Sequence, residues 1–364
     1  MSEGLGRTRF LVCPDSFKGT FSAVEVAAAL GAGIEEAGGA ADLCPAADGG
    51  EGTAATVRAA IGGEVRTAAA HDPLGRPIAA SFVLVEDGAT AVIDTAAASG
   101  LPLVAAAERD AEAASTYGTG ELIAAAVEAG ARRVLLAAGG SATTDGGMGA
   151  IEALRERGLG DGAVGGGGGA GDFLARPDDI SDATTTSGSC GCVGDAVLVV
   201  LCDVTTRFED AARVFGPQKG ADAAQVEWLT RRLEEIAEEL PRDPRGVPMT
   251  GCAGGLSGGL WAAFGAELRA GAEFVLDLLG FGERLAAADV VVTGEGRIDS
   301  QSLEGKIVGQ IAARCSAAGR PLHVVVGQDG LDHATAEAAG IASITEARDL
   351  AALRDAGRRL ATPG

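Results

Sequence analysis

The sequence predicts an α/β protein of two domains, one of them discontinuous, on three observations. Its 364 residues exceed the roughly 250–300 at which a single hydrophobic core stops growing. Short apolar runs alternate with helix-period segments at both ends of the chain, and the stretch between them changes to strands joined by tight turns. At the start, Phe10–Cys13 reads as a short buried strand, followed by the loop PDSFKGTFS and an apolar-periodic helix, Ala23–Glu36. Ser22 with Glu25 three residues on is a capping box at the start of that helix. Ala41–Cys44 is the next strand and Ala54–Ile61 the next helix; such βα repeats build parallel sheets. Val65–Ala69, Pro77–Val85 and Ala89–Ile93 then read as hairpin strands around the turns PLGRP and EDG. Gly120–Ala129 is helical, and Val134–Ala138 is an apolar strand entering a Gly-rich turn. Further on come strand Val197–Cys202 and helices Ala224–Glu239 and Glu273–Leu279. The parallel texture returns with strand Val290–Thr293, a helix from Lys306 to Ala317 and strand Leu322–Val326. Residues 1–66 and 287–364 are therefore expected to form one Rossmann/flavodoxin-like domain, with a mixed α/β domain, 67–286, inserted. Within the insertion, residues 158–194 are low-complexity and Gly-rich, and are read as a flexible excursion.

The formal net charge is −22. Such a field repels nucleic-acid phosphates and anionic membranes, so neither is an expected partner. It also repels small anions, so a site for one must gather local cations. Lys18, Lys219 and Lys306 are the only lysines in the chain, which singles out each of them. No apolar run reaches the ~18 residues of a membrane span, and the first residues show no leader pattern. The expected location is cytoplasmic. The seven cysteines form no CxxC pair and are read as reduced thiols.

Four segments share one design, a short strand ending in glycines and small polar residues, with a charged group, before a helix. They are CPDSFKGT (13–20), ADGGEGT (47–53), GGSATTDGG (139–147) and TGEGRIDSQSLEGK (293–306). In open α/β sheets the carboxyl ends of strands form the ligand crevice, and free N–H groups there receive anions. Glycine lets backbone lie against phosphate oxygens where a Cβ would block the approach. One such loop could be a plain turn; four point to an anionic small-molecule site. The P-loop pattern GxxxxGK[ST] is absent, and the GAGD at 169–172 follows poly-Gly and carries no weight. His71, His323 and His333 are scattered and make no metal or triad spacing.

With PDSFKGTFSA, PAADGGEGT, TAAASGLPLV, YGTGELI, GGSATTDGGMGA, VFGPQKGA, FGAELRAGAEFVLD and VVTGEGRIDSQSLEGK in order, the chain resembles the bacterial type I glycerate kinase family from Phe10 to about Leu350. The resemblance implies two α/β domains around a cleft, ATP with Mg²⁺, and phosphoryl transfer to a hydroxyl of D-glycerate, commonly giving the 2-phosphate. The chain departs from that pattern at Thr144, where the family has Asn, in the shortened loop TTRFEDAAR (205–213), and in GCAGGLSGG (251–259).

Phosphoryl transfer needs the phosphates held, the developing charge neutralised and the acceptor hydroxyl aligned. For the phosphates, the sequence offers the loop Gly139–Gly147, with Gly139, Gly140, Gly146, Ser141 and Thr143, joined by Lys219. Asp145 either reaches the phosphates through Mg²⁺ or caps the following helix. Lys18, Lys306 and Arg297 are candidates for the substrate carboxylate and the transferring group. Asp15, Ser16, Asp48, Glu51, Arg207 and Asp299 are expected to line the substrate. Asp203, at the end of the strand VLVVLC, is the candidate base, with Asp15, Asp48, Glu51, Asp94 and Asp299 competing. Arg207 also opens an alternative acceptor, a dianionic analogue such as a dihydroxy phosphonate. A non-catalytic ligand-binding descendant is the other alternative. The expected partners are small molecules, and a homodimer is left open.

Overall fold

The structure is a computed structural model describing residues 7–159, 191–303 and 305–362. In chain order its elements are β1 (Arg9–Val12), α1 (Ala23–Glu36), β2 (Ala40–Leu43), α2 (Thr53–Ile61), β3 (Glu64–His71), β4 (Pro77–Val85), β5 (Thr90–Asp94), α3 (Ala96–Ser99), α4 (Tyr117–Glu128), β6 (Arg133–Ala137) and α5 (Met148–Glu156). There follow β7 (Cys192–Val193), β8 (Ala196–Cys202), α6 (Ala211–Phe215), α7 (Ala223–Glu239), α8 (Leu256–Phe264), β9 (Glu267–Ala270), α9 (Gly271–Leu278) and α10 (Phe281–Ala287). Last come β10 (Val290–Ile298), α11 (Ile307–Ala318), β11 (Leu322–Asp329), α12 (His333–Ala338), β12 (Ile341–Glu346) and α13 (Leu350–Ala361). Most of the Gly-rich excursion, residues 160–190, lies outside the described residues.

Two sheets result. The first runs β12-β11-β10-β1-β2 and is parallel throughout. The second runs β3-β4-β5-β6-β8-β7, with β9 also on β8. Its β5, β6, β8 and β9 are parallel, and β3, β4 and β5 are joined as antiparallel hairpins. Sheet membership changes between α2 and β3 and back again between β9 and β10. The expected capping box is present: the Ser22 hydroxyl receives the Glu25 N–H while the Glu25 carboxylate receives that of Ser22.

A single apolar core joins the sheets. It contains Leu11, Val291 and Val324 of the first, Val92, Leu135 and Val199 of the second, and Val57, Val275, Phe281 and Ile311 from the helices between them. Outside the first sheet, α1 and α13 close a second core with Phe10, Val12 and Val325. They pack backbone to backbone: a Cβ on Gly33 would fall 1.9 Å from the Arg354 carbonyl oxygen. Outside the second sheet, α4, α5 and α8 close a third core through Leu122, Leu154 and Leu260. Because the parallel strands of each sheet share a direction, their carboxyl ends gather the four Gly-rich loops.

One element corrects the sequence reading. β10 does not stop at Thr293 but runs on to Ile298, paired with β11 as far as Asp329. Gly294 and Gly296 permit this, because a Cβ on Gly294 would fall 2.2 Å from the Val325 carbonyl oxygen of β11 and one on Gly296 would fall 3.3 Å from the Lys18 backbone nitrogen.

Candidate active site

The loops from the two sheets meet directly. A Cβ on Gly139 would fall 2.6 Å from the Gly50 Cα, and one on Gly271 would fall 2.6 Å from the Gly49 Cα. Glycine at these contacts lets the loop after β2 lie between the loop after β6 and the start of α9. Two cavities open on either side.

The larger, about 460 Å³, is lined by Asp15, Ser16, Lys18, Asp48, Glu295, Arg297, Lys306, Gln328 and Arg348 among others. Lys18 Nζ lies 3.5 Å from Asp48 Oδ2, and the Asp48 charge raises the Lys18 pKa. Asp48 is buried, and its Oδ1 accepts the Gly50 N–H at 3.1 Å. Burial, then the charge of Asp48, pushes Asp15 up to about 7.

The smaller, about 300 Å³, is lined by Gly139, Gly140, Ser141, Lys219, Glu51 and Asp203, with Leu101, Pro102, Phe215 and Ala253 as its apolar wall. Among the described residues, the N–H groups of Gly139, Gly140 and Ser141 have no protein acceptor. Lys219 is buried, and its ammonium donates to Ser141 Oγ at 3.0 Å and the Thr143 carbonyl at 2.6 Å. It makes no ion pair among the described residues, and burial lowers its pKa to about 8. Asp203 borders this cavity yet feels the charges of the other. Burial, then Asp48, pushes it up to about 6, while Lys18 and Lys306 pull it down. Asp48 Oδ1 and Asp203 Oδ2 flank Gly50, lying 3.0 and 3.6 Å from where its Cβ would be.

The other candidates take the following positions. Asp145, expected to hold metal or cap a helix, caps: Oδ2 accepts from the Thr116 N–H, the Thr116 hydroxyl and the Gly149 N–H, and Oδ1 from the Gly147 N–H. Three donors meet Oδ2 and one meets Oδ1, so the carboxylate is engaged by the protein at the start of α5. Thr143 is buried with its hydroxyl toward the Ala253 carbonyl, and the Gly146 N–H bonds to the Gly254 carbonyl. Neither borders the cavity, because the loop turns inward after Ser141. Glu51 lines the smaller cavity, not the one holding Lys18. Asp94 caps α2 through the Gly52 and Ala54 N–H groups, and Asp299 holds the turn at Gln301. Arg207 is exposed and lines neither cavity.

Glu295, Gln328, Arg348, Phe215 and Gln218 line the cavities without having been anticipated. Glu295 lies inside a motif already singled out, between glycines, and that was the available signal. Phe215 and Gln218 lie inside VFGPQKGA, beside Lys219, and nothing local marks Gln328 and Arg348.

Comparison with known proteins places this geometry. Residues 10–359 match the Glycerate kinase family. The chain is 42% identical to the glycerate 2-kinase of Escherichia coli over 310 residues, 82% of this chain and 80% of that one. It is 41% identical to the glycerate kinase of Bacillus subtilis over 312 residues, 82% and 79% of the two chains. Its fold is similar to the crystal structure of a Salmonella typhimurium LT2 protein provisionally named glycerate kinase 2, with TM-score 0.76, 33% identity, and 98% and 97% of the chains covered. The protein is a small-molecule kinase, a phosphotransferase acting on an alcohol group. It belongs to the glycerate kinase family.

Proposed function

We propose that the protein transfers the γ-phosphoryl group of ATP to the 2-hydroxyl of D-glycerate, with the nucleotide phosphates in the smaller cavity and glycerate in the larger. The observation that carries this assignment is Lys219, a buried cation that makes no ion pair among the described residues and feels the charge of Asp145 behind the loop, beside three backbone N–H groups without a protein acceptor among those residues. A buried charge left without a partner is costly, and a phosphate supplies the partner together with acceptors for the N–H groups. Phe215, Leu101 and Pro102 offer an apolar wall for the rest of the nucleotide. In the larger cavity Lys18, Arg297, Lys306 and Arg348 can receive a carboxylate against the repulsion of the whole chain.

Asp203 stands between the two sites. It takes the proton of the acceptor hydroxyl as that oxygen bonds to the γ-phosphorus and the bond from phosphorus to the β,γ-bridging oxygen breaks. Its pKa near 6 leaves it ionised at neutral pH and close enough to the operating pH for proton transfer. Among the described residues, no group of three or more acidic, His or Cys side chains is arranged to hold a metal. That fits Mg²⁺, which keeps several waters and is bound through one or two carboxylates and the phosphates. Glu51, beside Gly140 and without a hydrogen bond or ion pair among the described residues, would hold it. When bound, the ion neutralises charge on the phosphate oxygens.

The 2-hydroxyl is favoured by the name of the Escherichia coli relative, glycerate 2-kinase. Incubation with ATP, Mg²⁺ and D-glycerate should give a phosphorus resonance split by one proton, the mark of the 2-phosphate. Splitting by two protons would assign the 3-hydroxyl, and no phosphoglycerate at all would sink the acceptor. The greater volume of the first cavity favours the reverse placement of the two substrates. Raised KM for ATP in Arg297→Ala and for glycerate in Lys219→Met would establish that reverse placement.

A further inference from the structure

D-glycerate carries a carboxylate, a reacting hydroxyl and a second hydroxyl, and each needs a partner in a partly desolvated site. The cations of the larger cavity answer the first, and Asp203, which lines the smaller cavity but feels Asp48, Lys18 and Lys306 of the larger, answers the second. Neither serves the third, which wants an acceptor. The acids of that cavity differ in what they already hold. Asp15 Oδ1 takes the Ser16 N–H at 2.6 Å, and Asp48 takes the Gly50 N–H and faces Lys18. Glu295 is half-buried and shares a hydrogen bond with Ser302; its Oε1 has no hydrogen-bond partner and lies beneath the cavity surface, so it meets a ligand only when the side chain turns. Burial raises its pKa, with Ser302, Lys306 and Lys18 opposing. β10 carries it on rigid strand backbone into the cavity wall, between Gly294 and Gly296. A carboxylate oxygen left this way gains more from a donor brought by the ligand than one already paired.

We propose that Glu295 is the specificity residue for the non-reacting hydroxyl of the acceptor, accepting its hydrogen bond and so selecting dihydroxy acids over monohydroxy acids. The inference rests on the reading of the larger cavity as the acceptor site. An analogue lacking that hydroxyl leaves the carboxylate unpaired against ligand, and a site built for a hydroxyl rejects such analogues strongly.

The test uses the full-length enzyme with three acceptors, D-glycerate and its two deoxy analogues, lactate and 3-hydroxypropanoate. Each is measured by kcat/KM, and by calorimetric Kd where turnover is too slow. The informative analogue is the one that keeps the reacting hydroxyl. In Glu295→Ala the preference for glycerate over that analogue should fall about ten- to a hundredfold, with most of the loss on the glycerate side. Glu295→Gln, which keeps an acceptor oxygen of the same reach, should retain an intermediate preference and guards against a folding defect in the alanine variant. A preference unchanged in folded Glu295→Ala, or equal losses for both acceptors, overturns the proposal. Arg297→Ala separates this from failure of the underlying reading. If it leaves glycerate affinity intact, the acceptor lies elsewhere. If it weakens glycerate while the Glu295 variants keep the wild-type preference, only the role of Glu295 falls.

Discussion

Lys219 and Asp203 lie on either side of neutrality, and the sign of each effect follows from what its charged form does. Lys219 titrates near 8 in the fold, below its ordinary 10.5, because burial penalises the ammonium. Below about 8 the folded protein carries that penalty in full. As pH rises from about 8 toward 10.5 the native state holds fewer protons than the unfolded chain, so this group's contribution to stability improves. Phosphate binding runs the other way, since only the charged form attracts it. Nucleotide affinity should therefore weaken as pH rises through about 8, measured as Kd by calorimetry. In Lys219→Met the Kd should be at least about tenfold weaker, some 1.4 kcal/mol, and flat across that range. Asp203 gives the opposite limb, since burial lifts its pKa to about 6 and protonation removes the base. A plot of kcat/KM against pH should be bell-shaped, and Asp203→Asn should lose the acid limb with kcat down roughly 10²–10⁴-fold. A variant retaining more than a tenth of wild-type kcat would transfer the proton elsewhere.

The helices and strands whose apolar period is strong are the ones legible in the sequence, with ends shifted by a residue or a few. β9, a short strand of alternating charge, ELRA, and β12 escape it, because their pairing comes from neighbours distant in the chain; α13, strongly amphipathic, carries its signal in the sequence. The phosphate loop shows the limit more sharply. Spacing marked residues 139–147 as one unit, yet only Gly139, Gly140 and Ser141 of them border the cavity, and an Asp that could face a ligand instead faces helix N–H groups. Which side of a glycine-rich turn faces ligand is decided by what packs behind it, here Gly254 and Phe208. Gly140 has φ +69°, and a Cβ there would sit 2.9 Å from Glu51 Oε2. Gly140→Val should weaken ATP by at least about tenfold in a folded protein. Gly33→Ala tests a different element. Forcing α1 from α13 should cost about 1–3 kcal/mol and lower Tm, with kcat untouched because the contact lies behind the first sheet.

Length and texture indicated two α/β units but not how they are joined. The core between the sheets is continuous, running from Val324 to Leu135 through α2, α9, α10 and α11, so the sheets should not melt separately. Calorimetry should show one unfolding transition with matching calorimetric and van't Hoff enthalpies; two resolved transitions would show the shared core to be weak. The site was legible as a set of loops and not as two cavities, because Asp203 and Lys18 are brought together only by the packing of the loops between them. The placement of the lysines has a spectroscopic consequence. Lys18 and Lys306 border one cavity and Lys219 the other, and the chain has no more. Reductive methylation with ¹³C-formaldehyde would place labels on these three side chains and on any free amino terminus. The lysine methyl signals would then report each substrate site without mutation. The Lys219 signal should shift with pH near 8, and that of Lys18, whose pKa is raised by Asp48, should stay still over the same range.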